Sequence, residues 1–218
     1  MRLPLRSAAV IMLAAVMFSG CSKSDNNSAD ENLFDTEKAF EDYYGGISAA
    51  ESGPQLSISS TTAKAGEVAE VTVSVSNAKN NWSSCGFHIV YSDKLKCVLI
   101  DDEDSARDVD FALGEACRGA FSAVAKEWQE DLPKELSDDK LKALFFTASF
   151  EGNRGGEGNI ATFKFIVPDN ANPGDVFDID FYYYGGEYTK DIFINAQDDE
   201  SLEKYAFQNW KGGTITIE

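Results

Sequence analysis

Residues 158–174, GNIATFKFIVPDNANPG, decide the fold, because they write a strand, a stop and a turn in that order. From Ile160 onward the residues alternate. Ala161, Phe163, Phe165 and Val167 are expected to enter a core, and Ile160, Thr162, Lys164 and Ile166 to point away from it. Pro168 lacks the N–H that a sheet ladder needs, so the strand ends there. Asn172, Pro173 and Gly174 supply turn chemistry before the apolar run that opens at Val176. Such a unit is one edge of a β-sandwich.

The same grammar recurs on both sides of this stretch. Leu56 and Ile58 begin a first strand, and the turn Ala65-Gly66-Glu67 leads into Val71, Val73 and Val75. A third strand sets Cys85, Phe87, Ile89 and Tyr91 on one side and Ser84, Gly86, His88 and Val90 on the other. Leu95, Cys97 and Leu99 mark a fourth, closed by the acids Asp101, Asp102, Glu103 and Asp104. Later strands are expected near 144–150, 159–167, 176–184 and 213–217, the last with Ile215 and Ile217 inward. Eight or nine short strands with few helices suit one all-β sandwich with a real core. One segment departs from the pattern: 114–129 is alanine-rich, and Cys117, Phe121, Val124 and Trp128 fall on a helical stripe, so a helix inserted between strands is expected there.

The ends bound the compartment. Arg2 and Arg6 precede an apolar run up to Phe18, followed by Ser19, Gly20 and Cys21. A basic start, a short apolar middle and small residues before the cut make a secretory signal over 1–20. The cysteine at the cut looks like a bacterial lipobox, so Cys21 is the expected lipidation site and the rest of the chain is expected outside the cell, held to the membrane by lipid. Residues 21–54 are polar and acidic and read as a tether, although Leu33, Phe40 and Tyr44 have the spacing of a short amphipathic turn that could dock on the domain. Residues 55–218 form the sandwich.

The formal net charge is -18, and removal of 1–20 takes it to -20. A surface that acidic excludes nucleic acid as a partner and steers cationic groups in. With Cys21 lipidated, three cysteines remain, an odd number that makes no disulfide framework. Cys85 and Cys97 could bridge, but buried free thiols on strands are the expected state.

Catalytic chemistry is poorly served. His88 is the only histidine, and a mid-strand position on a sheet face is a poor place for a general base. No ligand spacing suggests a metal, and no loop has the alternating oxygens, central glycine and final glutamate of a calcium-binding EF-hand. The acids Asp198, Asp199 and Glu200, like those after Leu99, read as a solvated loop. No enzyme activity is expected. The aromatics Tyr182, Tyr183, Tyr184 and Tyr188, placed around Gly185-Gly186, suit a protein-binding face or, equally, a platform for a glycan.

Taken together, these pieces resemble the cohesin domain of cellulosomal scaffoldins over nearly all of 55–218. The resemblance rests on the opening strand and turn, the run Ser84-Cys85-Gly86-Phe87-His88-Ile89-Val90-Tyr91-Ser92-Asp93, the 158–174 block, and the closing Trp210-Lys211-Gly212-Gly213-Thr214-Ile215-Thr216-Ile217. It implies a nine-stranded sandwich of jelly-roll topology, here in a cell-surface lipoprotein, whose function is to bind a dockerin module of a cellulosomal enzyme or scaffoldin. One flat sheet face of a cohesin receives the dockerin helices. By resemblance that face falls on Ser84, Gly86, His88 and Val90 of the third strand, on Phe145, Thr147 and Ser149 of the sixth, and on Asp180, Tyr182 and Tyr184 of the eighth. On the sixth strand the opposite phase, Leu144, Phe146, Ala148 and Phe150, is an equally good face. Gly86 stands where one group of cohesins carries an acid. The fifth strand, at the edge of the face, is sought in Asp108 to Ala112. The resemblance further implies no cofactor on this chain, calcium on the dockerin, and an indirect association with plant polysaccharide. A dockerin with apolar and basic side chains is the expected partner, and one anchor with one receptor suggests an end point of assembly. A carbohydrate-binding module on a similar sandwich, or an adhesin, is the competing reading.

Overall fold

The computed structural model describes residues 36–100, 108–128, 132–185 and 189–218; these lie in one unit spanning 32–218. Cys21, the acids 101–104 and Tyr188 lie outside the described residues. In chain order the elements are α1 (Thr36–Tyr44), β1 (Gln55–Ile58), β2 (Thr61–Ala63), β3 (Val68–Ser76), β4 (Ser84–Ser92), β5 (Lys96–Cys97) and β6 (Phe111–Leu113). A 3-10 turn (Glu115–Cys117) follows, then β7 (Ser122–Trp128), α2 (Lys134–Asp138), β8 (Leu141–Ser149), β9 (Gly158–Ile166), β10 (Val176–Tyr182), β11 (Ile192–Ile194), α3 (Glu200–Gln208) and β12 (Gly213–Ile217).

The strands form two sheets, as expected of a sandwich, with twelve strands among the described residues rather than nine because several are two or three residues long. The back sheet runs β1-β3-β9-β5 with β6 also on β9, and the front sheet runs β2-β12-β10-β4-β8-β7 with β11 also on β4. The stretch that opened the sequence reading is β9, paired on both sides and buried in the back sheet. Phe163, Phe165 and Val167 point into the core as expected. Ile160 does not follow the alternation: Val73 pairs with Ala161 but Ser74 with Asn159, so Ile160 is the extra residue of a bulge, which turns it inward to complete burial. The turn after Pro168 closes at Gly174, whose φ of 92° is one that only glycine adopts without strain. Its N–H donates to the carbonyl of Ile217 at 2.8 Å, tying the turn to the last strand.

Aromatic rings fill the space between the sheets. Phe87 stacks on Phe146 at 5.2 Å, Phe146 meets Phe163 of the opposite sheet edge-on at 5.9 Å, and Tyr91 meets Phe165 at 4.9 Å. Each such ring, removed from water, stabilises the fold by about 1.5–3 kcal/mol. Cys85, Cys97 and Cys117 are all buried free thiols. The neighbour of Cys85 is Cys117, not Cys97; burial first, and then Cys117, push the Cys85 thiol well up. Burial also takes Cys97 to about 12.

The helix expected over 114–129 is absent. The segment makes a 3-10 turn and then β7, which pairs along its whole length with β8. The helical stripe fails physically, since Phe121 and Val124 would have been its buried centre yet are 74% and 38% exposed. A period of two replaces it: Ala125 packs inward opposite Phe146, while Ser122, Val124, Lys126 and Trp128 point out. The open edge of β8 supplied seven residues of ladder, which outweighed a weak alanine preference for helix. The fifth strand of the front sheet is therefore β7. Of the stretch proposed for it, Asp108 makes a single bridge to Lys126, and Phe111 and Ala112 belong to β6 in the back sheet.

Two further corrections concern the helices. The tether reading of 21–54 does not hold from Thr36 on, because α1 packs on the sandwich and Tyr44 is fully buried. Phe40 and Tyr44 meet Tyr183 at 5.3 and 5.6 Å, and Lys204 donates to the carbonyl of Tyr44 at 2.8 Å. The acids Asp198, Asp199 and Glu200 are the start of α3 rather than a plain loop: the Asp199 carboxylate accepts from Ser201 N–H at 3.0 Å and caps the helix.

Candidate functional site

Strand register places nine of the ten positions picked out in the sequence on one side of the front sheet, its outer side. Ser84 pairs with Ser149, Gly86 with Thr147, His88 with Phe145, and Val90 with Ala143. On the other side of β4, Val90 pairs with Asp180 and His88 with Tyr182. Leu144, Phe146, Ala148 and Phe150 are buried between the sheets, so the outward set on β8 is Phe145, Thr147 and Ser149. Tyr184 follows β10 and lies edge-on to His88 at 5.3 Å. β7 and β11 extend the face with residues that the sequence reading missed: Ser122, Val124, Lys126 and Trp128 on one flank, Ile192 and Ile194 on the other.

The face is not an open plane. His88 and Asp191 sit at its centre, each 1% exposed, with Nδ1 and Oδ1 2.7 Å apart. Trp128, Phe145 and Tyr184 surround the imidazole at 4.6, 4.8 and 5.3 Å between ring centres. The second oxygen of Asp191 accepts from Tyr184 N–H at 3.0 Å, and Asp191 N–H donates back to the Tyr184 carbonyl at 2.8 Å. One carboxylate thus pins both ends of the 184–191 loop and the middle of β4. Burial pushes the Asp191 carboxyl above the usual range, against the pull of His88. His88 is therefore a structural residue under the face and not a surface contact.

Leu132 and α2 lie over one half of the face. Leu136 of α2 covers Ala143 and Tyr182 in a small second core, joined by Val90, Trp128, Leu132, Leu141 and Tyr184. Tyr182 keeps only 8% of its surface and Tyr183 1%. They do not form the exposed aromatic platform expected from sequence; α2 and α1 occupy them. Asp180 stays at the rim, its carboxyl over Gly212, and partial burial raises its pKa against the Phe181 N–H that it accepts.

Gly86 is buried because Phe145 and Ile192 close over it: a Cβ there would lie 3.3 Å from the Phe145 ring and 3.4 Å from Ile192. A side chain at this position requires the Phe145 ring to give by a few tenths of an ångström. Among the described residues no grouping of His, Cys, Asp and Glu is arranged to hold a metal ion. A pocket of about 290 Å³ between Lys94, Lys96 and the Pro168–Asn170 turn belongs to the back sheet, not to this face.

The chain belongs to the cohesin family, whose domain model matches residues 54–190; cohesin domains are non-catalytic interaction modules. Among solved structures, a type III cohesin from the cellulosomal ScaE cell-surface anchoring scaffoldin of Ruminococcus flavefaciens is similar at 26% identity and a TM-score of 0.62, over 77% of this chain and 89% of that one. The sixth cohesin of scaffoldin B of Acetivibrio cellulolyticus, solved with a dockerin, shares the fold at 16% identity and a TM-score of 0.53, over 77% and 100%. A cohesin from a type I cohesin–dockerin complex of Clostridium thermocellum does so at 15% identity and a TM-score of 0.51, over 77% and 100%. No curated protein matches the chain.

Proposed function

We propose that this protein is a cell-surface cohesin that binds a calcium-loaded dockerin, without catalysis, on the outer face of the front sheet. The observation that carries the reading is the convergence of β4, β8 and the end of β10 on one outer face, in a chain of the cohesin family. Ser84, Thr147 and Ser149 offer hydroxyls and Phe145 a half-buried ring, while Gly86 and His88 lie beneath and shape the surface. Asp180 stands at the rim, where a charge affects encounter more than dissociation. Calcium would reside on the dockerin. The lipobox at Cys21 supports attachment to the membrane by lipid, which would display the docked enzyme or scaffoldin, and through it plant polysaccharide, outside the cell.

The test is capture of dockerin-bearing proteins of the same organism by the full chain, with and without chelator, beside binding to polysaccharides. Calcium-dependent protein capture is expected; retention on glycan that ignores chelator, with no dockerin captured, would overturn the reading. Phe145→Ala is expected to weaken dockerin binding by about 1 kcal/mol or more.

A further inference from the structure

Two rows of paired residues cross the uncapped half of the face. The first is Ile194, Ser84, Ser149 and Ser122, and the second is Ile192, Gly86, Thr147 and Val124. None of the eight is ionisable, in a chain where 26% of residues are charged and the net charge is -18. The first charge along β7 is Lys126, neutralised by Asp108 at 3.0 Å. Phe121, whose N–H donates to the Ser149 carbonyl, is 74% exposed at the corner of the patch, and Val124 is 38% exposed within it.

The hydroxyls are set for different roles. Thr147 donates to the Cys85 carbonyl at 3.0 Å, so its hydroxyl is satisfied from within. Ser84 donates to Ser149 at 3.2 Å, which leaves Ser149 a hydrogen to give outward. Ser122 is exposed beside it. One row is thus hydroxyl-bearing and the next apolar. Four strands span about 14 Å, the length of about ten residues of α-helix.

We infer that this uncharged double row, with Phe121 and Val124 as its exposed anchors, is where the partner seats, and that the partner's contact surface is a neutral helix face. That face would set apolar side chains on Ile192, Val124 and Phe121, and hydrogen-bonding groups on the serines. A cationic contact surface finds no counter-charge among these eight residues, so the acidity of the chain acts on encounter and not on the bound complex. α2 covers the other half, which confines the contact to one side of the sheet. The inference rests on the dockerin reading and adds which half is used and what chemistry it selects.

The experiment measures binding kinetics of the full-length chain against a panel of calcium-loaded dockerin modules from the same genome. Ser122→Glu and Phe121→Ala alter exposed side chains and leave the core intact; Val124→Glu puts a charge into the apolar row. Each is expected to speed dissociation about tenfold or more, whereas Asp139→Lys, beside the capped half, and a rise from 0.05 to about 0.5 M salt change it by less than about twofold. Wild-type dissociation in all three patch variants, or dissociation that salt accelerates strongly, would overturn the neutral patch and leave the receptor reading standing. A wild-type chain that binds no dockerin of the panel overturns both.

Discussion

Asp191 and Gly86 shape the face from beneath; Asp191 does not look functional in the sequence, and Gly86 is placed on the face only by resemblance. Asp191 is an isolated acid after a lysine, and only the tertiary pairing of β11 with β4 brings it under His88. Removal of one partner strands the other in an apolar site. Asp191→Ala is expected to cost about 3–5 kcal/mol in urea unfolding, and a cost near zero would mean that the pair is dispensable. At Gly86 the Phe145 ring and Ile192 occupy the space a side chain would need. Gly86→Asp should therefore lower stability by about 1–3 kcal/mol and displace Phe145, with a loss of dockerin affinity larger than that of Phe145→Ala. The outward phase of Phe145, Thr147 and Ser149 was half legible: a strand buried on one side and capped on the other carries apolar residues in both phases, so alternation alone could not choose.

At the scale of elements, β7 and α1 show how local pattern yields to neighbours. Cys117, Phe121, Val124 and Trp128 have helical spacing, but seven ladder pairs with β8 fix the segment as a strand. α1 holds on through aromatic and charged contacts, of which the spacing of Phe40 and Tyr44 announces only the apolar part. Tyr44 reaches Tyr183, while Lys190 lies over the Tyr43 ring and 3.6 Å from the buried carboxylate of Glu203. Tyr44→Ala is expected to cost about 3–5 kcal/mol, measured by thermal or denaturant unfolding. Glu203 gives this contact a pH dependence. Burial raises its pKa above the usual carboxylate value, outweighing Lys190. Its contribution to stability is therefore full below the unfolded value of about 4.3 and is lost as pH rises through the higher folded value. Relative to Glu203→Gln, the wild type should lose stability as pH rises above the ordinary carboxylate range. A difference that stays flat, or that grows with pH, would show the ion pair with Lys190 to dominate instead.

For the whole molecule, the three buried thiols and the proposed lipidation of Cys21 give the remaining expectations. Cys85, Cys97 and Cys117 are buried, with Cys85 and Cys97 raised, so in the native protein they should resist a thiol reagent and react together only on unfolding. Fast labelling of any one of them in the folded state would contradict this packing. Cys21→Ala is expected to move the protein from the detergent phase to the aqueous phase in a phase-partition assay; an unchanged partition would exclude lipid on Cys21. The sandwich and most strands of its core are legible in the sequence, because strand period and turn chemistry are local and survive without neighbours. Only the tertiary structure decided that 122–128 is a strand, that α1 is part of the domain and that α2 caps half the face over a buried His88–Asp191 pair. Each of those depends on a free sheet edge or an apolar surface supplied by residues far away in the chain, so a pattern within the segment can suggest it but not settle it.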